Sequence, residues 1–141
     1  MLYLPIIVSL FAIAFAYFLI RKIEKAPSGS AKMIEISDYI REGAVAYLKR
    51  QFKAVGLVAA VLFLILWIGL GFKVGMGFLM GATASAVAGI IGMLVSTKAN
   101  QKVAEASKKG LKPALSLAFQ GGSVTGLLVV GLALLSVSLF Y

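Results

Sequence analysis

Five carboxylates carry almost all the acid–base and metal-binding chemistry open to this chain, because it contains no histidine and no cysteine. They are Glu24, Glu35, Asp38, Glu42 and Glu105. Phosphoryl hydrolysis needs carboxylates gathered around a metal, or a glycine-rich loop closing on a lysine, and neither pattern is present. Glu35, Asp38 and Glu42 stand three and four residues apart, but Arg41 lies among them and no ligand comes from elsewhere. They read as a solvated, ion-paired face, with Asp38 and Arg41 spaced to pair on one side of a helix. Without cysteine there is no thiolate nucleophile, zinc knuckle or disulfide. The hydroxyls of Ser9, Thr83, Ser85, Ser123, Thr125 and Ser136 fall inside apolar runs, where they bond to their own or a neighbouring backbone. No catalytic, cofactor-binding or metal-ligating residue is therefore assigned in this chain.

The elements that hold these residues follow from composition. The 141 residues are 61% hydrophobic and 13% charged, too little polar surface to wrap a water-soluble core. Nine Phe, five Tyr and one Trp exclude disorder. Uncharged runs long enough to cross a hydrocarbon layer of about 30 Å predict an all-α polytopic membrane protein. Its transmembrane helices are expected at residues 1–20, 54–72, 74–97 and 113–141. Nothing basic precedes the first run and Arg21 and Lys22 follow it, so it reads as a retained anchor rather than a signal peptide. Only Lys73 separates the second and third runs, which must form a tight antiparallel hairpin. Gly69, Gly71, Gly75 and Gly77 surround that turn and supply positive φ and close backbone approach.

Charge placement sets the expected orientation. Of fourteen Lys and Arg, eight lie in residues 21–53, five in 98–112, and the last is Lys73. Basic loops stay in the cytoplasm, so the amino terminus, the Lys73 turn and Tyr141 are expected outside. The net charge of +9 is then a consequence of topology, and no nucleic-acid partner is expected.

Pro27 to Ser30 break the chain after the first span, and Ser30 is placed to cap a new helix near Ala31. Met33, Ile36, Ile40, Ala44 and Tyr47 recur at three- and four-residue steps, an amphipathic pattern. With no Pro before Ala54, this helix is expected to run into the second span and protrude into the cytoplasm. The alternative is a helix lying on anionic lipid through Lys49, Arg50 and Lys53. Residues 98–109 read as a similar extension of the third span, ending at Gly110, with Pro113 entering the fourth. Small residues form rows that let membrane helices touch: Gly77, Gly81, Ser85 and Gly89; Ala84, Ala88, Gly92 and Ser96; and Gly122 with Gly126.

Residues Met33 to Gln51, MIEISDYIREGAVAYLKRQ, resemble the first cytoplasmic helix of the membrane-integral, ion-pumping pyrophosphatases, written M-x-E-I-x-x-x-I-x-x-G-A-x-A-[YF]-L. Ala99–Asn100, Val103–Ala104, Gly110–Leu111, Ala114–Leu115 and Ala118 to Val124 are similar to the segment entering that family's fourth helix. Thr125 stands where many members carry Met, and Gln120 where many carry Arg. The resemblance implies a homodimer whose helices form an inner catalytic ring and an outer supporting ring, with this chain as the four outer-ring helices at the amino terminus. It implies pyrophosphate as substrate, Mg²⁺ as cofactor, K⁺ in some members, and transport of H⁺ or Na⁺. The pyrophosphate site and ion gate lie on later helices of the family, so no functional residue is carried over. A different reading is a complete four-span assembly subunit, oligomerising through Gly77 and Gly81. An interfacial lipid-binding protein using residues 31–53 is a third.

Overall fold

A computed structural model describes residues 3–140. Met1, Leu2 and Tyr141 lie outside the described residues, and with them the outer placement expected of the two ends. Four α-helices follow one another: α1 Tyr3–Lys25, α2 Ala31–Leu70, α3 Phe72–Ser107 and α4 Leu111–Phe140. Each is long and apolar enough to cross a membrane.

The amphipathic segment and the second apolar run are one helix, α2, of 40 residues. At 1.5 Å of rise per residue it is about 60 Å long, roughly twice the hydrocarbon thickness. Its antiparallel neighbour α3 has 36 residues. Because they are joined at one end, their surplus lengths project on the same side.

That join is tighter than the glycine cluster suggests. Gly71 alone makes the reversal, at φ 98° and ψ 162°, a region essentially closed to residues with a Cβ. Its N–H donates to the Trp67 carbonyl at 3.0 Å. Lys73 is not a turn residue but sits in the first turn of α3. Gly75 and Gly77 are helical and serve close contact: a Cβ on Gly75 would meet Trp67 Cβ at 3.2 Å, and one on Gly77 the Phe140 ring at 2.7 Å. A Cβ on Gly69 would meet nothing within 4 Å.

Gly110, at φ 115°, separates α3 from α4, and Pro113 lies in the first turn of α4, where a missing N–H costs no bond. Ser30 is the residue before α2 and is extended, but its hydroxyl makes no capping bond. Its carbonyl accepts from Met33 and Ile34 instead.

In space the helices stand in the order α1, α4, α3, α2, each packing on the next. The core is small: Ala16, Leu19 and Ile23 of α1, Ala88, Val95 and Ala99 of α3, Val124 and Leu128 of α4. The seam on α3 runs Ala88, Gly92, Val95, Ala99 and Lys102, alternating steps of four and three. Such a repeat keeps one narrow face against a neighbour in left-handed bundles. α2 adds only Ser37 to the buried set.

Candidate functional site

The seam of α3 ends on a charge. Lys102 follows Val95 and Ala99 on the buried face and is only 6% exposed. Its ammonium donates to the Glu24 carbonyl at 3.1 Å, to the Ala26 carbonyl and to Ser28 Oγ at 3.3 Å. Three donors thus meet three acceptors. The acceptors belong to the end of α1 and the loop after it, where the last helical carbonyls lack amide partners and the helix dipole favours a cation. Lys102 is a cap for α1 supplied by another helix.

Neighbouring groups extend the clamp. Lys98, one turn earlier, lies 3.6 Å from Glu24, which Arg21 also approaches at 4.0 Å. Gly29 has φ 86° and no room for a side chain, since a Cβ would sit 2.8 Å from Glu105 Oε2 and from Met33 Sδ. Glu105 is held by Lys108 at 2.6 Å. Burial pushes the Lys102 ammonium below its ordinary pKa, with the Glu24 carboxylate opposing and Lys98 adding to the shift.

Sequence reasoning treated Lys102 as one more loop cation and missed it. The available signal was the spacing, because Lys102 continues the Ala88–Gly92–Val95–Ala99 seam without a break.

The remaining acids do not assemble. Lys32 pairs with Glu35 at 3.5 Å, and Tyr39 donates to the same carboxylate at 3.4 Å. Asp38 and Arg41 form no ion pair among the described residues. No three His, Cys, Asp or Glu gather into a metal-binding group among the described residues.

The small-residue rows are redistributed. Ala88 and Gly92 of the second row pack: a Cβ on Gly92 would meet Thr125 Cγ2 at 2.8 Å. A Cβ on Gly81 or Gly89 of the first row would meet nothing within 4 Å. Gly81 and Ser85 line a groove of about 460 Å³ between α3 and α4. On α4 the close contacts shift from Gly122 and Gly126, both open, to Gly121 against Ala99 and Gly131 against Ile13 and Ser9. GxxxG spacing on α4 picked the exposed face, because small size alone does not say which side meets a neighbour.

The chain is an all-α, multi-pass membrane protein. It belongs to the inorganic H⁺ pyrophosphatase family, whose description matches residues 10–141. It is 44% identical over 134 residues to a K⁺-insensitive pyrophosphate-energized proton pump of Methanosarcina mazei, covering 94% of this chain and 20% of the relative. It is also 44% identical over 137 residues to a K⁺-stimulated pyrophosphate-energized sodium pump of Thermotoga maritima, covering 96% of this chain and 19% of the relative. The chain thus spans about a fifth of the length of these curated relatives.

Proposed function

We propose that this chain is the outer-ring scaffold of a pump that couples pyrophosphate hydrolysis to transport of H⁺ or Na⁺. The observation that carries the reading is the family match over residues 10–141, joined to relatives named as such pumps. The interior supports a bracing role: it is apolar and small, and its buried charge, Lys102, is committed to backbone carbonyls. Mg²⁺ is bound by other parts of the pump and not by this chain. K⁺ dependence differs between the relatives, one K⁺-insensitive and one K⁺-stimulated. The partners are the remainder of the polypeptide, the bilayer, and a second protomer in a homodimer.

The proposed threading puts residues 21–53 and 98–112 in the cytoplasm, with the spans at 1–20, 54–72, 74–97 and 113–141. Aromatic side chains at both ends support the span boundaries, since such rings favour headgroup level, and the basic loops carry the orientation. At the Gly71 end Trp67 lies 5.6 Å from both Phe63 and Phe72. At the basic end Arg21 lies over the Tyr17 ring and donates to its hydroxyl at 2.9 Å.

Hydrolysis and transport by membrane vesicles test the reading. The complete polypeptide should release phosphate from pyrophosphate and build an ion gradient, while the 141-residue chain alone should insert and release none. Hydrolysis by the chain alone would overturn the scaffold role. No hydrolysis by the complete polypeptide would overturn the pump.

A further inference from the structure

Two helices keep apolar residues uncovered. On α2 the expected apolar face divides: Ala44 and Leu48 lie toward α3, whereas Ile36, Ile40 and Tyr47 are turned away and exposed. On α1 the uncovered row is continuous and ends in charge. Leu4, Val8, Phe11, Phe15, Phe18, Lys22 and Lys25 follow at alternating steps of four and three, so they share one side of the helix. All are exposed, and the buried residues of α1, Ser9, Ala16, Leu19 and Ile23, occupy another side.

The three phenyl rings stack on one another, with centroids 6.4 Å apart from Phe11 to Phe15 and 6.1 Å from Phe15 to Phe18. They form one apolar strip. At the end of α1 the cations divide by engagement: Arg21 and Lys98 pair with Glu24, and Lys102 bonds the carbonyls of Glu24 and Ala26. Lys22 and Lys25 form no ion pair among the described residues. The dipole at this end of α1 would repel an anion, and Lys102 offsets it.

We infer that this strip binds an anionic phospholipid, its phosphate held by Lys22 and Lys25 and one acyl chain lying along Phe18, Phe15 and Phe11. The inference rests on the proposed span boundary at residue 20, which places the lipid in the cytoplasmic leaflet. Lys22 and Lys25 stand about 3 and 8 Å beyond that boundary, within a headgroup layer about 5–8 Å deep. Phe11 lies about 14 Å inside it, so the strip spans one leaflet. Two lysines one turn apart repel each other until an anion stands between them, and the nearest acid, Glu24, is already shared by Lys98 and Arg21. A partner helix suits the strip less well than a chain, because rings packed on one another close the holes that its knobs would enter.

Photocrosslinking in the complete pump tests this. p-Benzoylphenylalanine replaces Phe15, or Leu4 as a control on the same row in the other leaflet, in vesicles of phosphatidylcholine with a minority of phosphatidylglycerol. Lipid adducts are identified by mass on the peptide carrying the probe, and pyrophosphate hydrolysis is read on the same vesicles. Position 15 should capture phosphatidylglycerol about fivefold above its share of the membrane. Lys22→Gln with Lys25→Gln should return capture to that share, Lys53→Gln on α2 should leave it unchanged, and position 4 should follow bulk composition. Capture at 15 that follows bulk composition, survives loss of both lysines or falls equally with Lys53→Gln overturns the site while the span stands. A protein crosslink in place of lipid at position 15 overturns it as well. No lipid adduct from either position overturns the site and the span together. Enrichment in a polypeptide that hydrolyses no pyrophosphate supports the site and retires only the pump reading.

Discussion

Lys102 Nζ lies 3.1 Å from the backbone carbonyl of Glu24 across 78 positions of sequence, and through this bond α3 caps a helix that is not its own. The contact ties the end of α1 and the loop that leads to α2 onto α3. Replacing Lys102 by Met keeps the apolar stem and strands the acceptors. Hydrogen bonds to charged groups contribute about 1.5–3 kcal/mol, so Lys102→Met should lower thermal stability in detergent by about that amount. Amides of residues 24–30 should exchange faster in the variant.

The same lysine makes stability depend on pH. Burial lowers its pKa in the folded chain, so the unfolded chain binds the proton more tightly. The charge penalty is complete at pH values below the depressed value. It is relieved as pH rises from there toward the ordinary lysine value of about 10.4. Melting temperatures of wild type and Lys102→Met, followed from pH 8 to pH 10, should show the wild type gaining relative to the variant. A constant or shrinking difference would contradict the lowered pKa.

Two glycines three residues apart on α3 should respond differently. Gly92 faces Thr125 closely, whereas Gly89 meets open space. In the isolated chain Gly92→Leu should cost about 1–3 kcal/mol by overpacking, and Gly89→Leu should be close to neutral. Helix content and folded yield in detergent report both.

At the hairpin, Gly71→Ala forces a Cβ into a conformation essentially reserved for glycine and should cost about 1–3 kcal/mol. Gly69 is helical with nothing nearby, and Gly69→Ala should be neutral or stabilising by up to about 1 kcal/mol. Thermal denaturation of the pair separates turn geometry from general glycine effects.

Much of the architecture is legible in the residues. Charge-free runs announce the four helices, and the unbroken stretch from Ala31 to Leu70 announces one long helix in place of two. Hydropathy is silent about which side of a helix meets which neighbour. For that reason Gly122 and Gly126 looked like contacts when Gly121 and Gly131 are, and Ile36 and Ala44 looked like one face when they belong to two. Lys102 was legible only in its spacing on the α3 seam: a lysine there is ordinarily solvated, and its burial depends on carbonyls at the end of α1 and in the loop after it, 78 and 76 positions away at Glu24 and Ala26.

The threading of the four helices is the claim on which the rest depends, and it can be read on single cysteines, since the chain has none of its own. In a cysteine-free form of the complete polypeptide, Lys49→Cys, Lys109→Cys and Lys73→Cys would each be exposed to a membrane-impermeant maleimide on intact cells. The account predicts labelling of the cysteine at 73 and protection of those at 49 and 109 until the membrane is opened. Labelling at 49 or 109 on intact cells, with 73 protected, would contradict it.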